Sequence, residues 1–231
     1  MLIFKTGKLL EADGSAHLDT SNYSDAGDPF PGASNNTSLT DFTNPHSKIY
    51  GGERLSHFAV LNISQNGDDI TADFIINYWQ GTIDSNTNWT SANSPYCVGA
   101  DLLVSSDVTL TIESGTTIKF ASGTELKING TLNAQGTSNN PITFTSASAS
   151  PAAGDWDWIK FDGGSGNMEY CNIEYARFGL WFYGASTDPT VENCTMENCS
   201  YYGAYFLNNS AATFQYNTLT DNSLHGLLLI N

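Results

Sequence analysis

The chain has 231 residues and is strongly acidic, with 8 Lys and Arg against 24 Asp and Glu and a formal net charge of −16. Neutralising phosphate groups requires a basic surface, so this charge argues against nucleic acid and anionic membranes as partners. No stretch approaches the roughly 20 apolar residues that span a bilayer, so we expect no membrane insertion. The acidic, Lys-poor composition, rich in Asn, Ser, Thr and Gly, favours an extracellular location.

The first 77 residues consist of an irregular acidic segment followed by two apolar-rich runs. Residues 9–32 place Gly, Pro and Asp where turns need them. Residues 57–64 and 69–76 flank an Asn-Gly pair, and this pair between two such runs is a strong hairpin signal. The sequence therefore predicts a long loop that leads into a closing β-hairpin.

The acidic segment contains a candidate calcium site. Four carboxylates fall close together in it: Asp13, Asp19, Asp25 and Asp28. Calcium binds about six to eight oxygen atoms, which a glycine-broken acidic loop can supply from carboxylates and backbone carbonyls. The alternative is a solvated loop whose aspartates form turns and caps. Of the four, Asp13, Asp25 and Asp28 are the preferred ligands.

The order of short motifs in this part of the chain resembles that of the immune-inhibitor-A-like secreted metallopeptidases. The motifs are EADG (11–14), GDPFPG (27–32), TNP (43–45), NIS (62–64) and ITADF (70–74). The resemblance implies that residues 1–77 are the C-terminal part of such a catalytic domain, where calcium commonly braces loops of this kind. The parent protein would then be an extracellular zinc endopeptidase.

The zinc centre of those peptidases is not present in this sequence. An HExxH motif holds zinc with two histidines one helical turn apart and activates water with its glutamate. None of the histidines here, His17, His46, His57 and His225, is followed by Glu. We therefore expect zinc only in an upstream part of the parent protein, and we expect these residues to be non-catalytic by themselves.

One pattern occurs three times near the end of the sequence, starting at Met168, Val191 and Phe214, with a spacing of 23 residues (191 − 168 and 214 − 191). The spacing aligns further columns: Cys171, Cys194 and Asn217; Ile173, Met196 and Leu219; Ala176, Cys199 and Asn222; and, after a one-residue slip, Gly179, Gly203 and Gly226. A unit this short cannot close its own core, so the copies must stack as a solenoid. Each copy divides into pieces of strand length with Asn, Cys and Gly between them, which favours a β-helix over a leucine-rich repeat.

These repeats resemble the right-handed parallel β-helix of the pectate-lyase-like superfamily. The resemblance also rests on residues 108–146, which begin VTLTIESGTTIKF, and on GDWDWIKF (154–161). It implies an all-β chain in which residues 78–231 form a β-helix of about six rungs, preceded by the loop-rich segment with its hairpin. Because the sequence begins without a secretion signal and stops inside a predicted strand, we expect a truncated fragment of a longer secreted protein.

The cysteines of the repeats occupy column positions where asparagine is usual in that superfamily. No CxxC pair or zinc spacing occurs among Cys97, Cys171, Cys194 and Cys199. Stacking places Cys171 and Cys194 within disulfide reach, but parallel strands in register orient the two Cβ atoms alike and strain a bridge. We expect free thiols.

The candidate ligand-binding residues are aromatic. Alternation along residues 180–183 and 204–207 turns Trp181, Tyr183 and Tyr205 outward, with Trp181 stacked over Tyr205 one rung away. Such a ladder is a platform for sugar rings. The alternative is cross-rung packing covered by a loop or a neighbouring domain.

A polysaccharide-lyase centre fits the repeats less well. That chemistry needs calcium held by carboxylates and a base to remove a proton beside the sugar carboxylate. The repeats have one arginine, Arg177, and two outward glutamate columns, Glu169 with Glu192 and Glu174 with Glu197. No base lies among these columns.

Together these features predict a fragment of a secreted bacterial zinc metallopeptidase, in which the β-helix is a rigid spacer or a module that binds surfaces or glycans. Its partners would be the rest of the parent polypeptide and an extracellular polysaccharide. The alternative is a stand-alone β-helix protein that binds or cleaves polysaccharide.

Overall fold

The structure is a computed structural model and describes residues 2–3, 9–10, 35–40, 57–66, 69–208 and 210–230. The chain divides into two compact units, residues 1–78 and residues 79–231. The predicted calcium ligands Asp13, Asp19, Asp25 and Asp28 lie outside the described residues, as do His17 and His46.

The described residues of the first unit form two antiparallel strand pairs. Its strands are β1 (Leu2–Ile3), β2 (Leu9–Leu10), β3 (Phe58–Asn66) and β4 (Asp69–Ile76). β1 pairs with β2, and β3 pairs with β4 from Phe58↔Ile76 to Asn66↔Asp69. The predicted hairpin is therefore confirmed.

The hairpin has one irregularity in its register, between Leu61 and Ser64. Asn62 lies there with φ 53°, a left-handed conformation that asparagine tolerates better than most residues. Its side chain donates a 2.7 Å hydrogen bond to Asp73 on the opposite strand. Ile63 remains buried in a small cluster with Leu39 and Val60, so the bulge keeps the apolar side of β3 on its core.

The second unit is built from eighteen short strands. They are β5 (Tyr78–Ile83), β6 (Thr87–Trp89), β7 (Tyr96–Val104), β8 (Thr109–Ile112), β9 (Thr117–Phe120), β10 (Leu126–Ile128), β11 (Thr131–Gln135), β12 (Ile142–Ser146), β13 (Ile159–Asp162), β14 (Ser165–Glu169), β15 (Cys171–Glu174), β16 (Phe178–Tyr183), β17 (Thr190–Glu192), β18 (Thr195–Glu197), β19 (Tyr202–Leu207), β20 (Thr213–Gln215), β21 (Thr218–Thr220) and β22 (His225–Ile230). A single 3₁₀ turn, Ser91–Asn93, is the one helical element in the described part of the chain.

The strands stack in parallel on three faces of a coil. Face A consists of β6, β8, β11, β14, β17 and β20. Face B consists of the first half of β7 with β9, β12, β15, β18 and β21, and face C consists of β5, the second half of β7, β10, β13, β16, β19 and β22. The all-β parallel β-helix is confirmed, and seven strands on face C give it about seven turns, against the six or so predicted.

The interior of the coil is filled by columns of apolar side chains from successive turns. On face C the inward column runs through Phe161, Phe182 and Phe206, with ring centroids 5.7 Å and 4.4 Å apart along it. Trp156 stacks on Phe120 at 4.0 Å and is fully buried. Burying one such ring stabilises the fold by about 1.5–3 kcal/mol, so each turn depends on its neighbours for its core.

The glycine column of the repeats marks a close approach of neighbouring turns. Gly179, Gly203 and Gly226 lie in register across β16, β19 and β22, as predicted. A Cβ atom on Gly179 would lie 2.4 Å from the carbonyl oxygen of Gly203, which no side chain permits. Glycine is therefore required here by space and not by φ.

Two corners of each repeat use a residue in the left-handed conformation. One column contains Tyr170, Asn193 and Tyr216, with φ between 46° and 58°, and the other contains Tyr175, Asn198 and Asp221, with φ between 53° and 62°. Asn and Asp adopt this region readily, but a tyrosine there is strained.

Several left-handed corners are followed by an inward polar side chain that ties adjacent turns together. Asn217 Oδ1 accepts a hydrogen bond from the Cys194 N–H at 2.9 Å, and Asn217 Nδ2 donates to the Val191 carbonyl at 2.9 Å. Asn222 makes the same pair of bonds to Cys199 and Met196. All four cysteines are free thiols. The cysteine and asparagine columns are therefore polar ladders within the corners.

Candidate functional site

The outward column on face C changes in character along the axis of the coil. In order from the β5 end it contains Leu103, Lys127, Lys160, Trp181, Tyr205 and Leu228. After one leucine the column is charged over two turns and aromatic over the next two, and it ends with another leucine. The aromatic part is the largest cluster of partly exposed rings in the described residues.

We call this cluster the aromatic patch. It consists of Trp158, Phe178, Trp181, Tyr183, Tyr201, Tyr202 and Tyr205. The predicted stacking of Trp181 over Tyr205 is confirmed, because the two residues are paired in register and their ring centroids are 5.5 Å apart. Tyr183 lies two residues along the same strand, with its ring 6.5 Å from Trp181. Ligand binding by these three residues stays a prediction.

Phe178 is the centre of the patch and was missed by the sequence prediction. Its ring lies 5.2 Å from Tyr201, 5.7 Å from Tyr205 and 5.7 Å from Trp158. Phe178 and Tyr202 occupy paired positions next to the Gly179–Gly203 pair. The glycine column with its one-residue slip would have revealed this pair, but alternation along the strand did not, because Gly179 and Leu180 are both buried and interrupt the alternation.

The tips of the two tryptophans differ in their hydrogen bonding. Trp158 Nε1 donates a hydrogen bond to Glu125 Oε2. Trp181 Nε1 is buried beneath the neighbouring rings and has no partner among the described residues. An unpaired buried N–H costs free energy, so the packing of the rings around Trp181 outweighs the loss of this hydrogen bond.

Two cations lie on the rings of the patch. The Lys160 ammonium is 4.7 Å from the Trp181 centroid and 4.6 Å from the Tyr183 centroid. The Arg177 guanidinium is 5.2 Å from the Tyr201 centroid. Cations over aromatic faces are attracted by the ring quadrupole, by about 0.5–1 kcal/mol at exposed sites.

The carboxylates beside the patch have shifted pKa values of opposite sign. Burial disfavours the Asp162 carboxylate, but hydrogen bonds and charge from Lys127 and Lys160 outweigh this effect and lower its pKa. Burial raises the pKa of Asp157, opposed by Arg177 and assisted by the nearby charge of Asp101. The charged form of Asp162 is therefore stabilised by its surroundings, whereas the charged form of Asp157 is disfavoured.

The two glutamate columns stack as predicted. Glu169 pairs with Glu192 on face A, where a shallow cavity of about 90 Å³ has no basic residue in its lining. Glu174 pairs with Glu197 on face B, and burial together with the charge of Glu197 raises the Glu174 pKa, although a hydrogen bond from Thr145 opposes the rise. Neither column supplies the base that lyase chemistry requires.

Metal-binding and membrane-spanning features can be stated only for the described residues. Within them, no group of three or more His, Cys, Asp or Glu side chains is placed to hold a metal ion. No helix in the same residues is long and apolar enough to cross a membrane.

A comparison with protein-family models identifies the fold family. The model for the right-handed β-helix region matches residues 76–231. The chain belongs to the right-handed β-helix family. No curated protein and no solved structure matches it significantly. Membership in the right-handed β-helix family carries the architecture and no particular reaction, so the function must be argued from the aromatic patch.

Proposed function

We propose that the right-handed β-helix is a binding module that takes polysaccharide on its aromatic patch. The observation that supports this most directly is a continuous set of rings on the outside of the coil, spread over three successive turns. Tyr201 is 38% exposed, and the other residues of the patch are partly exposed. Contiguous exposed apolar surface of this kind marks binding sites on soluble proteins.

The chemistry of the patch suits a sugar chain. The C–H faces of a pyranose pack on ring planes, while its hydroxyl groups need polar partners at the ring edges. The tyrosine hydroxyls supply such partners around the patch. The alternative is that the rings serve cross-rung packing alone, and their mutual distances of 5–6 Å are compatible with that role too.

Retention by a panel of insoluble and gel-embedded polysaccharides tests the proposal. We expect the full chain to be retained by at least one polysaccharide of the panel, with a shift in tryptophan fluorescence. The variants Trp181→Ala and Tyr201→Ala should lose most of that retention. Tyr201 is the more informative position, because truncating an exposed ring removes little packing and should leave the fold intact.

Tyr216→Asn is the matched control, since Tyr216 is 77% exposed, lies outside the patch and has a backbone conformation that asparagine accepts. It should bind as the unmodified chain does. Failure of every polysaccharide to retain the chain would leave packing as the role of the rings.

A second proposal concerns the protein to which the module belongs. The hairpin of β3 and β4 contains the NIS and ITADF motifs, where the resemblance to immune-inhibitor-A-like peptidases expects a closing hairpin. This supports a secreted bacterial zinc metallopeptidase as the parent, with the β-helix also acting as a rigid spacer. The reading frame upstream of residue 1 should then encode HExxH. A frame without it would remove this proposal and leave glycan binding untouched.

Calcium at the acidic segment is a further part of that proposal. If Asp13, Asp19, Asp25 and Asp28 hold calcium, a chelator should lower the melting temperature of the first unit, and added calcium should restore it. Identical melting curves with calcium and with chelator would rule the site out.

A further inference from the structure

The aromatic patch already holds a primary ammonium group, that of Lys160. The Lys160 Nζ lies within 4.7 Å of the Trp181 and Tyr183 centroids and 3.4 Å from Asp162 Oδ2. Two ring faces and a carboxylate are a general means of binding an alkylammonium ion. The outer surface of face C is therefore chemically suited to amines, and one such position is filled by the protein itself.

A second position where carboxylates lie beside an aromatic ring is found at the β5 end of the patch. A depression of about 230 Å³ is lined by Gly81, Asp101, Leu103, Glu125 and Lys127, among others. It adjoins the patch through Trp158, whose Nε1 donates to Glu125 Oε2. Asp101 Oδ1 accepts the Glu125 N–H at 3.2 Å, which holds the two carboxyl groups on neighbouring turns.

The cations near the depression are already engaged elsewhere. Residues 79–231 contain 4 Lys and Arg side chains against 14 Asp and Glu. Lys127 binds Asp162 at 2.8 Å, Lys160 lies on Trp181, and Arg177 lies on Tyr201. Within the described residues, no cation lies in salt-bridge distance of Asp101 or Glu125.

This arrangement favours a cationic ligand over an anionic one. An acidic sugar would have to displace Asp162 or an aromatic ring from a cation, and it would meet the net negative charge of the coil. A sugar ammonium would instead find two carboxylates without a cationic partner. Asp157 lies on the same side, where burial and the charge of Asp101 raise its pKa and where an added cation would be favourable.

We propose that the β5 end of the aromatic patch binds an amino sugar, with a glucosamine-type ring on Trp158 and its protonated amine at Asp101 and Glu125. The ligand class is thus a partly or fully deacetylated amino-sugar polymer. This inference rests on the glycan binding proposed above and specifies its substrate.

The test compares two oligosaccharides of equal length that differ only in the acetyl group: a glucosamine oligomer and its N-acetylated counterpart. Calorimetry on the full chain in mildly acidic buffer of low ionic strength should give about tenfold tighter binding of the glucosamine oligomer, because two partly exposed ion pairs add to the ring contact. The Asp101→Asn/Glu125→Gln double variant should lose this preference and bind both oligomers as the unmodified chain binds the acetylated one.

Asp107→Asn/Asp221→Asn is the matched control, because both residues are exposed and left-handed, neither lines the depression, and the net charge changes by the same amount. It should keep the preference. Equal binding of the two oligomers overturns the amino-sugar inference and leaves glycan binding in place. A preference that survives in Asp101→Asn/Glu125→Gln overturns it as well, since overall charge would then be the cause. Binding of no polysaccharide at all overturns both proposals.

Discussion

At the scale of single residues, cysteine takes the place of asparagine in the corner ladders. The Cys194 thiol accepts a hydrogen bond from the Cys171 N–H at 3.4 Å, just as Asn217 Oδ1 accepts from the Cys194 N–H at 2.9 Å. Sulfur is the weaker acceptor, but the Cys171 thiol also donates at 3.2 Å to the Ala134 carbonyl, which lies in the same column as the Val191 carbonyl that Asn217 Nδ2 binds. The cysteines thus keep part of the asparagine function and fit a smaller space.

The loss of stability caused by a substitution at Asn217 should depend on how many of these hydrogen bonds the new side chain still makes. Asn217→Ala leaves the Cys194 N–H and the Val191 carbonyl without their side-chain partner and should lower the free energy of unfolding by about 1–3 kcal/mol. Asn217→Cys should lose less, because its sulfur can accept as Cys194 does. Urea unfolding at constant m-value measures the order. If cysteine and alanine are equally destabilising, the thiol contributes no useful hydrogen bond.

Replacing a tyrosine in a left-handed corner by asparagine should stabilise the fold. Tyr216 has φ 58° and is 77% exposed, so its side chain gains little from the fold while its backbone is strained. Tyr216→Asn should raise the free energy of unfolding by about 0.5–1 kcal/mol, since Asn193 adopts the same conformation one turn earlier. Thermal unfolding beside Tyr216→Ala, which keeps the strain, checks this: a gain from alanine as large as from asparagine would contradict it.

At the scale of the strand, the pairing of Glu174 with Glu197 should give a pH-dependent penalty. Burial and the charge of Glu197 raise the Glu174 pKa above its ordinary value of 4.5, although Thr145 opposes the rise. The ionised side chain is therefore disfavoured in the fold. The penalty is present above the folded pKa, declines as the pH falls through it, and is absent below 4.5.

Glu174→Gln should accordingly raise the melting temperature at neutral pH and have little effect near the ordinary pKa of the carboxyl group. Glutamine can still accept the hydrogen bond from Thr145 Oγ1. Asp107→Asn, at an exposed position, serves as the control for net charge. A stabilisation of equal size at both pH values would show that ionisation is not its origin.

The strands also show which parts of the fold the sequence could predict. The columns starting at Met168, Val191 and Phe214 were correct because three copies constrain one another, and all three lie in register. The first turn had no copy to align with. β7 runs unbroken from Tyr96 to Val104 across two faces, which the repeat pattern does not suggest.

The candidate site was predicted to a similar extent. Trp181, Tyr183 and Tyr205 followed from strand alternation, whereas Phe178, Tyr201 and Tyr202 did not, because they lie where the chain turns into the strand. The left-handed conformation of Tyr170 and Tyr175 was also not predicted, since neither the residue type nor the spacing indicates it. The sequence pattern therefore predicted the β-helix fold better than it predicted the residues of the aromatic patch.

At the scale of the whole molecule, the β-helix should behave as a stack of interchangeable turns. Thr190 pairs with Thr213 and Val191 pairs with Phe214, so residues 191–213 are one complete turn. Removing these residues joins Thr190 to Phe214 and brings Phe214 onto Met168 and Asn217 onto Cys171, in the columns where Val191 and Cys194 now lie. Every inward side chain keeps an inward neighbour.

This deletion should therefore fold, with one turn fewer and a modestly lower stability, because a nearest-neighbour stack loses one unit and one interface. Circular dichroism should show the same β signal per residue, and thermal unfolding should remain cooperative. Deletion of residues 192–213 is the matched control. It joins Val191 to Phe214 and shifts the following strand by one residue, which turns Phe214 outward and polar side chains inward. That chain should aggregate or fail to fold. If both deletions folded equally well, the stacked columns would not set the register of the coil; if neither folded, its turns would not be interchangeable.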